Sequence, residues 1–266
     1  MAEKRSSLML TSTVLCAALY AIGCYITSYI VSPWGVGQFR PAVVIPTLFA
    51  VVFGPLPAGL GAAIGTLIAD SANMGSFNVG SLIAAVPGNF LGFYMMGYIL
   101  RRGFTWGRFI LSVIVTLIFA NLMVAVLYVG VYMNLFMGQL PNLDSLGLSI
   151  FTVGLTIWWF VTMLPFELLV APPLIRAAVQ AFPSLVPEDV QKKNIGSSIT
   201  EAGLAVSLLV PGVIMLAVGA SMTFTGLGGS IQGLFGPAPK NLIEVLSYAS
   251  GVILAVLGAY ISVKKK

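Results

Sequence analysis

The chain has 266 residues, of which 58% are hydrophobic and 8% charged, with a formal net charge of +5, whereas an ordinary soluble domain is roughly a quarter charged. A hydrocarbon core ~30 Å thick needs about 20 apolar residues per spanning helix, so this length admits about eight spans and excludes an added soluble catalytic domain. The expectation is an all-α integral membrane protein with about eight transmembrane helices.

The first apolar run, residues 8–31, is long enough to span and is read as a retained helix, not a cleaved signal peptide. Cys16 and Cys24 both fall in it, about 12 Å apart along the axis, too far to bridge. The same helix carries Ala17 and Ala21, an A-x-x-x-A pair of the kind that lets helices approach closely, and internal packing is its default role. Residues 41–54 and 57–71 predict two short helices joined by "FGPLP" as a tight hairpin. The "GLGAAIG" that follows has the glycines of a dinucleotide fingerprint, but that motif needs a strand and a soluble βαβ unit. Gly61, Gly65 and Ala69 instead form a small-residue stripe for helix packing.

Polar residues cluster around this hairpin. Arg40 stands beside Trp34 and Phe39 and directly before Pro41; its guanidinium suits a substrate carboxylate or phosphate, an interfacial anchor, or an ion pair with Asp70. Asp70 closes the third helix and either ends it at the headgroups or faces a pocket. Beyond it lies "SANMGSFNVG", where Asn73 and Asn78 offer hydrogen bonds to a heterocycle covered by Trp34, Phe39 or Phe77.

A fourth helix is expected over 81–100, with Asn89 toward the outside as a further candidate, and a fifth over 107–134. In the fifth, Asn121 reads as structural, and Tyr128, Tyr132 and Phe136 read as an interfacial belt. A sixth, over 148–174, holds Trp158 and Trp159 deeper than a belt; Trp158 is the candidate pocket wall and the other faces lipid or a partner helix. Glu167, counted from the start of that helix, falls near the inner headgroups, where Arg176, Arg101 or Arg102 would pair with it. The polar segment "AFPSLVPEDVQKKNIGSS" divides six helices from two, over 200–221 and 241–262, and Ser198 with Glu201 forms a capping-box pattern. "FGPAP" at 235 echoes "FGPLP" at 53, which reads as shared turn chemistry, not as a repeat. The organisation is thus a membrane domain at 1–180, a linker at 181–199 and a two-helix extension at 200–266.

With eight spans, Lys4 and Arg5, Arg101, Arg102 and Arg108, Arg176, Lys192 and Lys193, and Lys264 to Lys266 all fall on one side, and only Arg40 and Lys240 on the other. The positive-inside rule then puts both termini in the cytoplasm of a multi-pass plasma-membrane protein. The positive charge marks topology and implies no nucleic-acid partner.

Six helices with inside termini, the early alanine pair and "PTLFAVVFGPLPAGLGAAIGTLIAD" together resemble the substrate-binding subunits of energy-coupling factor (ECF) transporters, over residues 8 to about 180. The resemblance implies capture of a vitamin-like nutrient from outside, in a pocket near the outer face that here corresponds to loops 32–40, 72–80 and 135–147. It also implies docking, through Ala17 and Ala21, on a transmembrane coupling subunit that carries two ATPases. The helix pair after residue 198 departs from that pattern. The family's nickel and cobalt branch uses an N-terminal histidine motif, and this chain has no histidine, which disfavours a metal cargo or cofactor. The expected function is substrate capture without catalysis, since a Walker motif is missing and no nucleophile with a base stands out. The alternatives are a self-sufficient secondary carrier and a non-transport scaffold.

Overall fold

The computed structural model describes residues 2–140, 142–195 and 201–263. Every regular element among them is helical, apart from one antiparallel bridge between Val31 and Gln38. Helix α1 is Ala2–Thr27; a 3₁₀ turn, Pro41–Val43, leads into α2, Val44–Val52; and α3 is Pro55–Met74. A π-helical turn, Ser81–Ala85, opens into α4, Val86–Leu100, and α5, Trp106–Ala125, runs on into a second π-helical stretch, Val126–Phe136. Then come α6, Ser145–Leu169; α7, Ala171–Ala181; α8, Glu188–Ile195; α9, Glu201–Phe224; α10, Gly226–Phe235; and α11, Pro237–Val263.

Five helical stretches are long and apolar enough to cross a membrane, and a sixth span results if α9 and α10, bent by 65° at their junction, are taken together. The multi-pass helical architecture is therefore as expected. The count differs from eight for two reasons visible in the sequence. Residues 41–52 form an apolar helix too short to qualify. Helix α3 has 20 residues, but its glycines, its prolines and the polar residues Asp70, Ser71 and Asn73 lower its hydropathy. Large apolar side chains face outward along the bundle, among them Leu10, Val14, Ile22, Leu111 and Val252, as expected where the solvent is lipid. Within the polar segment after α7, Glu188–Ile195 form the short helix α8. The Ser198–Glu201 capping box lies outside the described residues.

Local chemistry sets the helix ends. Gly54 takes φ +88° and is followed by Pro55 at the first helical position, while Gly236 takes φ +83° ahead of Pro237. Both "FGP" motifs thus close one helix with phenylalanine, turn on a glycine whose φ a side chain would oppose, and restart on proline. They share turn chemistry, as the sequence suggested. Thr105 caps α5 by accepting from the Arg108 N–H at 3.1 Å, and Asp144 caps α6 by accepting from Gly147 at 2.7 Å.

The small-residue stripe of α3 faces α1. A Cβ on Gly65 would stand 2.7 Å from the Ala17 carbonyl oxygen, and one on Gly61 would stand 2.5 Å from the Cys16 Cβ. Ala17 and Ala21 are 5% and 6% exposed in this packing, so the alanine pair is covered by its own chain. Close approach of the same kind joins α9 to α11, where a Cβ on Gly212 would meet the Ala255 nitrogen at 2.8 Å. The C-terminal helices pack through α9 on α5, and through α10 and α11 on α6.

Candidate functional site

Several separate stretches of the sequence converge on one cavity. The loop after α1 folds back on itself: Ser32 N–H donates to the Gly37 carbonyl at 2.8 Å and Phe39 N–H to the Ile30 carbonyl at 2.8 Å. Gly37 sits at φ +76° with its Cα side against Trp159, where a Cβ would come within 2.6 Å of the indole. This turn delivers Gln38 and Arg40 to the cavity. Helix α3 supplies Asp70, the loop beyond it Asn78, the two π-helical segments Ser81, Ala85 and Tyr128, and the adjoining helices Asn89, Asn121 and Met163. About 110 Å³ is open there to the centres of water-sized molecules.

The first π-helical turn has a local cause and a local effect. Pro87 has no N–H to offer the preceding turn, so regular i→i−4 bonding fails just before it, and the wider turn over Ser81–Ala85 takes up the mismatch. Asn78 then caps this segment, its Oδ1 accepting from Ser81 N–H at 2.8 Å. Both irregular segments border the cavity.

Arg40 is held by its own chain. Its guanidinium donates to the Thr66 hydroxyl, forms an ion pair with Asp70 Oδ1, and reaches Gln38 Oε1 at 3.3 Å. The ion-pair alternative for Arg40 therefore describes this structure. Asp70, 7% exposed, is a buried partner in the cavity wall and does not merely end a helix at the surface.

Of the sequence-derived candidates, Arg40, Asp70, Asn78 and Asn89 come together here. Trp34, Asn73 and Trp158 do not. Trp34 lies over Gly154 and packs against Phe151 and Phe235, with ring centroids 6.1 and 6.2 Å away. Asn73 is exposed and accepts from the Ser28 hydroxyl at 2.9 Å. Of the tryptophan pair, Trp159 walls the cavity, pinned by its indole N–H donating to the Gln38 carbonyl at 3.1 Å, while Trp158 is buried elsewhere with its N–H unpartnered among the described residues. Adjacent positions on a helix differ by about 100°, so only one of the two can face the cavity, and apolar pattern alone does not choose between them. Phe39 stacks edge-on to Phe166, 5.5 Å between centroids, and Phe77 is 60% exposed, so neither covers the cavity.

Sequence reasoning missed Asn121, treated as structural, and Tyr128, treated as a belt residue; both line the cavity. The available signal was their spacing: the two lie seven apart, two turns along one helix face. Among the described residues, loop 135–147 contributes none to the lining.

Glu167 does not meet an arginine. It is fully buried, accepts from the Thr47 hydroxyl at 2.7 Å, and its second oxygen has no partner among the described residues. The residue before it, Phe166, stacks on Phe39, and Thr47 belongs to α2, so this part of α6 packs against the turn after α1 and the short second helix.

A second cavity of about 170 Å³ lies at the opposite end of α3, lined in part by Phe53, Gly54, Arg101, Phe104 and Asp189. Its polar groups are already engaged: Asp189 accepts from Phe104 N–H at 2.5 Å and Arg101 donates to the Phe53 carbonyl at 3.4 Å. The first cavity, with several amides converging on an aromatic wall, has the chemistry of a ligand site.

No protein-family model matches the chain, and no curated protein and no solved structure gives a match. Among the described residues no group of three or more histidine, cysteine, aspartate or glutamate side chains is placed to hold a metal ion.

Proposed function

We propose that this chain is the substrate-capture subunit of an ECF-type importer, binding a small organic nutrient at the outer face of the plasma membrane with both termini in the cytoplasm. The observation that carries this reading is the cavity itself: a small polar chamber inside an otherwise apolar helical bundle, lined by side-chain amides and a fixed indole. Polar groups within a membrane bundle are costly unless they serve packing or a ligand. Energy would come from ATPases reached through a separate coupling subunit. Because Ala17 and Ala21 are covered by α3, docking would use another face of the bundle or follow a rearrangement of α1. The test is to purify the full chain in mild detergent, release any bound small molecule and identify it by mass spectrometry. One organic compound at about one per chain is expected; an empty protein that also binds nothing from a nutrient extract overturns the reading.

A second reading, a self-sufficient ion-coupled carrier, is favoured by one observation, the buried Glu167, one of whose oxygens has no partner among the described residues. It predicts that the chain alone, reconstituted in vesicles, takes up the released compound under an imposed proton or sodium gradient, and that Glu167→Gln abolishes the uptake. Binding without uptake returns Glu167 to a structural role beside Thr47.

A further inference from the structure

We infer that the cavity selects an uncharged, planar heterocycle bearing amide or lactam groups and discriminates against carboxylated analogues. The inference rests on the capture reading and names the substrate class for that site.

Charge is the first argument. The cavity wall holds one cation and one anion, Arg40 and Asp70, and they are paired to each other. Their side chains are only 11% and 9% exposed, so the pair lies largely out of water. A carboxylate entering beside them would bring a second negative charge next to Asp70 and leave the buried site with a net charge of about minus one, the arrangement that low-dielectric surroundings penalise most. An anion would have to share the guanidinium with Asp70 or displace it, and in either case two carboxylates would face one cation out of water. A lone arginine would select for anions; this one, neutralised within its own fold, does not.

The second argument is the set of hydrogen-bonding atoms left over once the protein's own bonds are made. Asn78 uses its Oδ1 on Ser81 N–H, which leaves the Nδ2 donor. Asn89 uses Nδ2 on the Ala85 carbonyl at 2.9 Å, which leaves the Oδ1 acceptor. Asn121 directs Nδ2 at the Met163 sulfur, 3.7 Å away, which again leaves the Oδ1 acceptor. The Ser81 hydroxyl, although its residue borders the cavity, is itself shielded from the open volume and has no partner among the described residues. The free valences are thus neutral and of both kinds, donor and acceptor, as the edge of a lactam or a carboxamide requires.

Shape is the third. Trp159 cannot rotate freely, because its N–H is held by the Gln38 carbonyl and its indole abuts Gly37. A fixed indole in the wall of so small a chamber favours a flat ring over a flexible chain.

The test uses the full-length chain in detergent and two matched probe pairs: nicotinamide against nicotinate, and uracil against orotate. Within each pair the ring is shared and the carboxylate is the difference in charge. Titration calorimetry is expected to show the uncharged member of at least one pair binding about tenfold or more tightly than its carboxylate. In Asp70→Asn, which frees the guanidinium, the preference shrinks by about tenfold or reverses. Should that variant fail to fold, the Arg40→Gln/Asp70→Asn double variant, which removes both charges together, is expected to keep the preference for the uncharged member at whatever absolute affinity it retains. A wild-type protein that binds nicotinate or orotate as tightly as the uncharged partner, or more so, overturns the inference. So does silence toward all four probes; in that event a compound released from the purified chain still upholds the capture reading, whereas an empty protein removes both.

Discussion

Arg40 and Asp70 depend on each other more than the cavity depends on either. Breaking a buried pair by removing one partner costs about 3–5 kcal/mol, because the survivor is left as an uncompensated charge, while removing both is far milder. Arg40→Met and Asp70→Asn are therefore each expected to lower the melting temperature strongly, and the double variant to lower it by less than the worse of the two. A double variant as unstable as the sum of the singles would show that the pair is not coupled. At this scale the sequence identified the chemistry but not the direction in which it points. Arg40, Asp70, Asn78 and Asn89 stood out because polar residues are rare in so apolar a chain. Trp158 was preferred to Trp159, and Asn121 and Tyr128 were passed over, because which way a helical side chain faces is set by the neighbours of that helix.

Among the elements, the α1–α3 contact rests on absent side chains. Gly65 lies against the Ala17 carbonyl and the Tyr20 ring, and both are parts of a packed helix that cannot give way cheaply. Gly65→Val is expected to destabilise the protein by about 1–3 kcal/mol through overpacking, read as a fall in melting temperature, with Gly75→Ala as a weak control at a position open around its Cβ but at φ +71°. An unchanged melting temperature for Gly65→Val would mean that α1 and α3 are not held this closely. The stripe was legible because a four-residue repeat of small side chains has one main physical use in a membrane helix. Its partner was not, since the sequence carries several such stripes and does not say which pair meets.

At the scale of the whole molecule, the C-terminal helices reach back to the loop that builds the cavity. Phe235, the last residue of α10, lies 5.0 Å from Phe151 and 6.2 Å from Trp34 between ring centroids, and Trp34 belongs to the turn that delivers Gln38 and Arg40. Each aromatic pair adds about 0.5–1.5 kcal/mol beyond its buried area. Phe235→Ala is expected to loosen this turn and speed dissociation of a bound radiolabelled ligand by about tenfold; an unchanged rate would leave α9 to α11 with no bearing on the site. By itself the sequence determined the all-helical, membrane-embedded class, the helix breaks at "FGPLP" and "FGPAP", and the scarcity of charge that made each polar residue a candidate. Those follow from composition, from local φ preferences and from helical periodicity, which are properties of short stretches of chain. Only the tertiary structure decided that Arg40 is neutralised by Asp70, that Ala17 and Ala21 face inward, that Glu167 lacks an arginine, and that Trp159 walls the cavity. Each of those depends on residues distant in sequence being brought within a few ångströms, and no local preference encodes such a distance.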